Sequence, residues 1–320
     1  MIISKTPLRV SFAGGGTDFA TYYRQKEGSV LSTCIDKYIY VMVKERFDDK
    51  IVAHYRKTEI VDTPDELEHE LIREVLKMVG IKKKIEISTT ADIPSEGSGL
   101  GSSSAVTVGL LNALYHYIGE LPTKEELAKN ACKIEIDILK SPIGKQDQHA
   151  TAFGGFNLII FHQDDTVSVQ KVDVPKEFEE NLILFHIDLP RNSYKILRKQ
   201  VLNIKEKMGI LSEMADIAKD MQYSLASNNF DNFAYLLDKE WLLKKTLAPG
   251  ITNETIEEVY NIALSNGAMG GKLCGGGGGG FFLIFCPKEK QWLVRNALKP
   301  FKELPFRFEK LGSHIIFDGR

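Results

Sequence analysis

The sequence predicts a protein of mixed helices and strands that is divided into about two domains. Three observations support this prediction: a length of 320 residues, a first half rich in strand patterns, and a second half dominated by long helical patterns. A chain of this length ordinarily forms about two domains, each large enough to bury a hydrophobic core. The sequence contains no internal repeat and no low-complexity linker, so we expect the halves to pack tightly with a cleft between them.

The first half reads mainly as strands. Three segments have the β-branched and aromatic content of strands: Leu8–Phe12, Tyr38–Glu45 and Ile85–Ser88. A capping box from Thr123 to Glu126 predicts the start of a helix, whose apolar residues recur at Leu127, Ala131, Ile134 and Ile138. A hairpin is predicted around the turn at 163–165, with the strands Phe156–Phe161 and Thr166–Val172.

The second half begins near Pro175 with a predicted strand, Leu182–Leu189. Four helical patterns follow, at Ser193–Lys207, Ser212–Ser227, Phe230–Leu247 and Asn253–Ser265. A further helix is predicted at Lys288–Leu298, among strand patterns near Phe281–Phe285, Phe306–Lys310 and Ile315–Phe317.

Composition and charge exclude several classes of protein. Apolar residues make up 43% and charged residues 26%, which is ordinary for a globular protein. The net charge of −2 gives no reason to expect nucleic-acid binding. The N-terminus lacks an export pattern and no apolar run approaches ~18 residues, so we expect a cytoplasmic protein without a membrane partner. Four cysteines without metal-binding or redox spacing are interpreted as buried reduced thiols: Cys34, Cys132, Cys274 and Cys286.

The segment from Pro94 to Ala105 carries the clearest functional signal. It is rich in glycine and serine and leads directly into the apolar stretch Val106–Leu114. Such a turn at a helix start binds phosphate, because glycines allow close approach, the first N–H groups are unpaired, and the helix dipole favours negative charge. We therefore predict a nucleotide-phosphate loop, and the hydroxyl of one of its serines can also ligate a metal. Its residues are Gly97, Ser98, Gly99, Leu100, Gly101, Ser102, Ser103 and Ser104.

The loop matches neither of the two common nucleotide motifs. Gly101 is followed by Ser102 rather than by the lysine of a P-loop, and the glycine spacing also fails the dinucleotide fingerprint. The run Gly275–Gly280 precedes a predicted strand instead of a helix. Six consecutive glycines lose much conformational entropy on folding, so we interpret the run as a close approach of backbone to ligand; a tight strand connection is the alternative.

Three segments in order resemble the motifs of the GHMP small-molecule kinases: Pro7–Asp18, Pro94–Ala105 and Lys272–Phe281. The resemblance spans roughly Pro7 to Phe285. It implies a two-domain α+β fold, with an ATP-binding N-terminal domain at 1–175 and a helix-rich C-terminal domain at 176–320. Three shorter segments are similar to the D-glycero-D-manno-heptose 7-phosphate kinases and their L-fucokinase relatives: Gly14–Asp18, Gly144–Gln148 and Gly267–Lys272.

The resemblance also implies residue roles. Asp147 would orient the acceptor hydroxyl and take its proton, with Arg9 as the neighbouring cation. Mg²⁺ would lie between Ser103 and Glu135. Asp137 competes with Glu135 for this role, but residues two apart on a helix are separated by about 200°, so only one of them can face the loop.

The acceptor site is predicted at Thr17, Asp18, Gly276 and Gly277. Arg191, at the start of a predicted helix, is the candidate for binding a phosphate on the acceptor, although it also fits a solvated basic face. His149 has no ligand-spaced partner and is interpreted as structural. For the adenine pocket the sequence offers only a region, Tyr38–Lys57.

The function implied by the resemblance is an ATP- and Mg²⁺-dependent sugar kinase. The acceptor that the resemblance favours is D-glycero-D-manno-heptose 7-phosphate, which would be phosphorylated on its anomeric hydroxyl to the 1,7-bisphosphate. An L-fucose or other free-sugar 1-kinase is the alternative within the enzyme class, and a non-catalytic sensor of sugar phosphate or nucleotide is the alternative outside it. The sensor is disfavoured because the residues of the implied machinery occur together. The sequence leaves the oligomeric state open, a homodimer included.

Overall fold

The computed structural model describes residues 1–93, 97–189 and 193–320, which form an eight-stranded and a four-stranded sheet with helices packed against them. The first sheet contains β1 (Ile2–Ala13), β2 (Gly28–Glu45), β3 (Ile51–His54), β4 (Thr58–Val61), β5 (Ile85–Ala91), β6 (Phe156–Phe161) and β7 (Val167–Lys171). The second contains β8 (Leu182–Ile187), β9 (Gly270–Leu273), β10 (Gly280–Phe285) and β11 (Lys302–Glu303). The last strand, β12 (His314–Asp318), returns to the first sheet.

The helices of the first half connect or cover the strands of the first sheet. They are α1 (Ala20–Tyr23), α2 (Glu70–Val79), α3 (Ser102–Tyr117), α4 (Lys124–Cys132) and α5 (Gln146–Phe153), with a π-helical segment at Lys133–Ile138. The second half adds α6 (Lys176–Glu179), α7 (Ser193–Asn203), α8 (Met208–Ala226), α9 (Phe230–Lys244), α10 (Glu254–Ser265) and α11 (Gln291–Ala297). Short 3₁₀ turns lie at Pro64–Glu66 and Lys288–Lys290.

The long strand β2 organises the first sheet. One edge of it pairs antiparallel with β1. The other edge is shared, because Gly28–Thr33 pairs with β6 and Ile39–Glu45 pairs with β5. β12 extends the sheet beyond β1, and β3 joins β5 in parallel. In the second sheet, β8 and β10 are central and antiparallel.

Aromatic side chains join the two halves in one core. The ring of Phe12 on β1 stacks on Phe156 of β6 at 5.0 Å. Phe178 on α6 and Phe233 on α9 lie 4.6 Å apart, and both also contact Phe12. Because these elements belong to both halves of the chain, the hydrophobic core is continuous across the predicted boundary near residue 175.

Most predicted elements are present, and the capping box at α4 is confirmed, with Thr123 and Glu126 bonded reciprocally. The strand predicted at Phe306–Lys310 is wrong. That segment makes a single β-bridge, between Phe308 and Ile35. Two of its backbone amides are paired with carboxylates instead: Arg307 N donates to Asp36 at 2.9 Å and Phe308 N to Glu179 at 3.0 Å. With these donors paired to side chains, they are not available to a strand ladder.

The β3–β4 hairpin and α2 were not predicted from the sequence. Both lie between the first and second glycine-rich motifs, and both contribute to the site described below. No helix in the described ranges combines the length and the apolar character needed to cross a membrane.

Candidate active site

An ion pair between the buried Arg9 and the partly exposed Asp147 joins β1 to the start of α5. Arg9 donates from Nε and Nη2 to the two carboxylate oxygens of Asp147, each at 2.7 Å. Its remaining terminal nitrogen donates to the carbonyl of Gly99 at 2.7 Å. Burial alone would lower the pKa of Arg9, but the adjacent Asp147 carboxylate raises it. The bidentate geometry fixes the orientation of the Asp147 carboxylate against the phosphate loop.

The predicted phosphate loop lies against β1 and leads into α3. The Arg9 amide donates to the carbonyl of Leu100 at 2.9 Å, and the Phe281 amide donates to that of Ser98 at 3.2 Å. Gly101 caps α3 in the left-handed conformation, at φ 76°, and no side chain caps the helix. The amides of its first turn therefore have no capping side chain and remain available to an anion.

Glu135 lies beside this loop as a buried carboxylate with three side-chain donors. Ser103 and Ser104 donate to its two oxygens at 2.9 and 2.8 Å, and Gln148 donates at 2.6 Å. Burial raises the pKa of Glu135, and the three donors oppose that shift. Asp137 is exposed to solvent, so of the two candidate carboxylates only Glu135 faces the loop.

The pair of Ser103 and Glu135 fits the ligand chemistry of Mg²⁺. This ion prefers oxygen ligands and commonly takes only one or two protein groups, with waters and substrate phosphates completing its shell. The part of the chain that the structure describes contains no group of three or more acidic, histidine or cysteine side chains suited to a metal. A buried carboxylate beside a hydroxyl at a phosphate loop therefore provides the ligands that such a shared site needs.

Two cavities meet at Asp147. The larger, of about 1060 Å³, runs along the phosphate loop from Gly97 to Ser104 and is also lined by Tyr55, Arg56, His69 and Leu71. The smaller, of about 80 Å³, lies between β1, the start of α5 and the glycine-rich turn. Arg9, Asp147 and Gly276 line both cavities. A group bound in the smaller cavity would therefore share the Asp147 carboxylate with a group bound along the loop.

The predicted acceptor residues are only partly brought together. Asp18 lines the smaller cavity and accepts from the amides of Gly16 at 2.9 Å and Gln146 at 3.2 Å. Burial raises its pKa, against the effect of those two donors. Gly276 also lines the cavity.

Two predicted acceptor residues lie elsewhere. Thr17 is fully buried, and its hydroxyl donates to the carbonyls of Gly14 and Ser29, so it stabilises the turn rather than facing the cleft. Gly277 packs against Ile251 and lines neither cavity. Leu100, predicted to bind ATP, lies in the core beneath the loop; its carbonyl accepts from the Arg9 amide, and its own amide donates to the Ser98 hydroxyl at 3.3 Å. Arg191 lies outside the described residues.

Several polar side chains of the smaller cavity were missed by the sequence reasoning. Gln146 lines it, and its Oε1 is buried with no partner among the described residues. Gln200, Lys244 and Lys272 line it as well. Gln146 directly precedes Asp147 and Lys272 lies in a quoted motif, so proximity to known motifs was a usable signal for these two. No signal of this kind marked Gln200 or Lys244.

Comparison with known proteins agrees with this geometry. The model of the GHMP kinase N-terminal domain matches residues 68–155, and that of the C-terminal domain matches residues 221–302. The D-glycero-alpha-D-manno-heptose 7-phosphate kinase of Campylobacter jejuni is 32% identical over 93% of this chain and 93% of its own length. The chain belongs to the GHMP kinases. It is thus a phosphotransferase with an alcohol group as acceptor, a sugar kinase that uses ATP as co-substrate.

Other GHMP kinases extend the comparison. The L-fucokinase/L-fucose-1-P guanylyltransferase of Bacteroides fragilis is 27% identical over 92% of this chain, which matches 35% of that longer protein. Among solved structures, a D-glycero-D-manno-heptose 1-phosphate kinase from Bacteroides thetaiotaomicron has a TM-score of 0.81 at 27% identity, with both chains fully covered. Lactococcus lactis galactokinase, at 18% identity and a TM-score of 0.78, shares the fold. The predicted family and α+β fold are confirmed.

Proposed function

We propose that this GHMP kinase transfers the γ-phosphoryl group of ATP to the anomeric hydroxyl of D-glycero-D-manno-heptose 7-phosphate, giving the 1,7-bisphosphate. The observation that carries the proposal is the position of Asp147 on the wall shared by the two cavities. A carboxylate at that junction can contact an acceptor hydroxyl while the phosphates of a donor lie along the loop. The likeness to the Campylobacter jejuni enzyme supports the choice of acceptor.

The chain's own residues account for the chemistry of such a transfer. Asp147 orients the anomeric hydroxyl and accepts its proton as the oxygen attacks the γ-phosphorus, and the bond to the β–γ bridging oxygen breaks to release ADP. Arg9 holds Asp147 in place and balances negative charge beside the loop. Amides of the first turn of α3 bind the donor phosphates. Mg²⁺, held by Ser103 and Glu135, would neutralise phosphate charge.

The lining of the smaller cavity suits a polyol. Asp18 presents a buried carboxylate, and the unpartnered Oε1 of Gln146 needs a donor that a sugar hydroxyl would supply. The backbone amide of Gln146 donates to the Asp18 carboxylate at 3.2 Å, so the two residues lie side by side. An unpaired buried oxygen costs about 1–3 kcal/mol, which binding of a hydroxyl would recover.

An acceptor panel tests the proposal. Purified protein is mixed with ATP, Mg²⁺ and either heptose 7-phosphate, L-fucose or D-galactose; ADP release gives the rate, and phosphorus NMR gives the position of the new phosphate. We expect the highest kcat/KM with the heptose phosphate and a product phosphorylated at C1. A higher kcat/KM with L-fucose would replace the proposed acceptor with the free-sugar alternative. The absence of ADP release with every sugar would favour the sensor alternative.

Substitution of Asp147 tests the mechanism separately from the acceptor. Asp147→Asn keeps the side-chain shape but removes the base, so we expect kcat to fall ~10²-fold or more, with ATP affinity near that of the wild type. ATP affinity is measured by calorimetry without acceptor and serves as the internal control for folding. Turnover close to wild type in this variant would remove Asp147 from the reaction.

A further inference from the structure

A group of buried charges lies at the smaller cavity, and its two lysines are part of the lining. It consists of Lys244 and Glu240 on α9 and Lys272 on β9, here called the lysine cluster. Lys272 and Glu240 are 1% and 0% exposed and Lys244 is 8% exposed, yet both lysines line the cavity. Lysine and glutamate are rarely buried to this extent without a partner or a function.

The hydrogen bonds within the lysine cluster leave donors unused. Lys244 donates to the carbonyls of Leu273 and Gly275, both at 2.7 Å. Lys272 donates to the carbonyl of Phe12 at 2.7 Å and lies 3.4 Å from a carboxylate oxygen of Glu240. An ammonium group has three N–H donors, so within the described residues each lysine retains one that these contacts do not use.

The charge of the lysine cluster is also incompletely balanced. Two ammonium groups face one carboxylate, and Glu240 additionally accepts from the amide of Gly14 at 3.2 Å. Burial, together with repulsion from Lys272 and Arg9, lowers the pKa of Lys244 to about 7. The carbonyl partners of Lys244 carry no charge. An anion in the cavity would supply the missing countercharge and favour the protonated lysine.

We infer that Lys244, supported by Lys272, binds the phosphate group that the acceptor sugar already carries. The inference rests on the proposed function, because it presumes a phosphorylated acceptor. It assigns to Lys244 on α9 the role for which Arg191 is the candidate in the sequence analysis. The ligand class is a phosphate monoester, whose oxygens can accept the unused donors of both ammonium groups.

The position of the lysine cluster favours the phosphate of the acceptor over those of ATP. Among the described residues, Lys244 and Lys272 line the smaller cavity and not the larger one, where the phosphate loop lies. Arg9 and Asp147 line both cavities. An acceptor whose phosphate is bound by the lysine cluster would thus lie in the same cavity as the Asp147 carboxylate.

A substitution with a neighbouring control tests the inference. Lys244→Met removes the ammonium group, and Lys245→Met removes a lysine that lines neither cavity and pairs with Glu257. Each variant is assayed with heptose 7-phosphate and with the same heptose lacking the phosphate. For Lys244→Met we expect kcat/KM to fall about 10- to 100-fold with the phosphorylated sugar, as for loss of a charged hydrogen bond, and little with the free sugar. Lys245→Met should change neither.

The outcomes separate this inference from the proposed function. An equal loss with both sugars in the Lys244→Met variant would overturn the phosphate contact and leave the proposed reaction in place. A wild-type enzyme that phosphorylates the free heptose but not its 7-phosphate would overturn both, and would do so before any variant is made.

A measurement on the wild-type protein covers the case in which Lys244→Met does not fold. Inorganic phosphate should inhibit competitively against heptose 7-phosphate and not against ATP, because the lysine cluster lies on the acceptor side. Competition against ATP alone would place the anion at the phosphate loop and overturn the inference. Lys244→Arg, which keeps the positive charge, should retain a larger preference for the phosphorylated sugar than Lys244→Met; equal preferences would count against the charge-based contact.

Discussion

Glu135 shows how a single buried carboxylate is kept in place before any metal binds. Its two oxygens accept from Ser103, Ser104 and Gln148, which offsets part of the cost of burying the charge. The same oxygens are suited to Mg²⁺, and Ser103 lies at the start of α3 beside the phosphate loop. The hydrogen bonds therefore orient the carboxylate toward the position where donor phosphates would lie.

The role of Glu135 can be tested through the metal dependence of the rate. Glu135→Gln preserves the shape and some of the hydrogen bonds but removes the charge. We expect the Mg²⁺ concentration for half-maximal rate to rise about 10-fold or more, since loss of a metal-site carboxylate weakens binding. Asp137→Asn, on the exposed side of the same segment, is the control and should leave the Mg²⁺ dependence unchanged. Equal Mg²⁺ dependence in Glu135→Gln and wild type would exclude Glu135 as a ligand, whatever its effect on stability.

Individual site residues were predictable where they belong to a contiguous motif. Arg9, Asp147 and the loop serines could be assigned because the resemblance concerns short ordered segments. Lys244 could not, because Glu240 and Lys244 are four residues apart on a helix, a spacing that ordinarily indicates a solvated surface pair. The packing of α9 against β9 buries both side chains, and Lys244 lines the cavity. Thr17 is predicted to bind the acceptor, but its hydroxyl donates to the backbone carbonyls of Gly14 and Ser29.

Among the elements, the turn between β9 and β10 shows why the glycine run is needed. Gly275 has φ of 71°, and a Cβ placed on it would lie 2.5 Å from the Cα of Gly99 in the phosphate loop. The two glycine-rich segments therefore touch through their backbones. A side chain at this position would separate the loop from the turn and strain the backbone as well.

Alanine at Gly275 should consequently impair both ATP binding and stability. For Gly275→Ala we expect the KM for ATP to rise several-fold and the free energy of unfolding to fall by about 1–3 kcal/mol. Gly209→Ala is the control: Gly209 lies in α8, and a Cβ there would contact no atom within 4 Å. That variant should keep the KM of the wild type and its stability or slightly more. ATP titration and urea unfolding measure the two effects, and a Gly275→Ala protein equal to the control would contradict the contact.

Elements with strong local signals were predictable, and those defined by long-range pairing were not. The helix α4 has its capping box, and the β6–β7 hairpin has a short polar turn between apolar strands. The strand β3 is four residues long and pairs in parallel with the distant β5, so its neighbours in sequence carry little information about it. Conversely, the segment at 306–310 has the composition of a strand, but the amides of Arg307 and Phe308 are bound by carboxylates.

At the scale of the whole molecule, the chain crosses between its two sheets more than once. The strand β12 returns to pair with β1, and Ser313 before it shares a hydrogen bond with Thr6 at 2.8 Å. The helix α8 packs on β1 and β2, where Ser29 donates to the carbonyl of Ala215 at 2.7 Å. The active-site cleft consequently lies between walls that are joined through one core rather than through a flexible linker.

This arrangement predicts that the first 175 residues will not fold cooperatively by themselves. A fragment of residues 1–175 keeps Phe12 and Phe156 but lacks Phe178 and Phe233, which pack on Phe12 in the intact chain. It also lacks β12, so the edge of β1 would be exposed and prone to pair with other chains. We expect the fragment to show weak near-UV circular dichroism, a broad thermal transition and aggregation, whereas the full chain melts cooperatively.

Co-expression of residues 1–175 with residues 176–320 tests whether the fragment fails to fold because it lacks the packing partners of the second half. If residues 176–320 are supplied in trans, the missing aromatic side chains and β12 become available, and we expect a soluble complex that regains a cooperative transition and nucleotide binding. A fragment of 1–175 that melts sharply and binds ATP without its partner would show that the N-terminal half is an independent domain. In that case the shared core would contribute to the rigidity of the cleft, and not to the folding of the ATP-binding half.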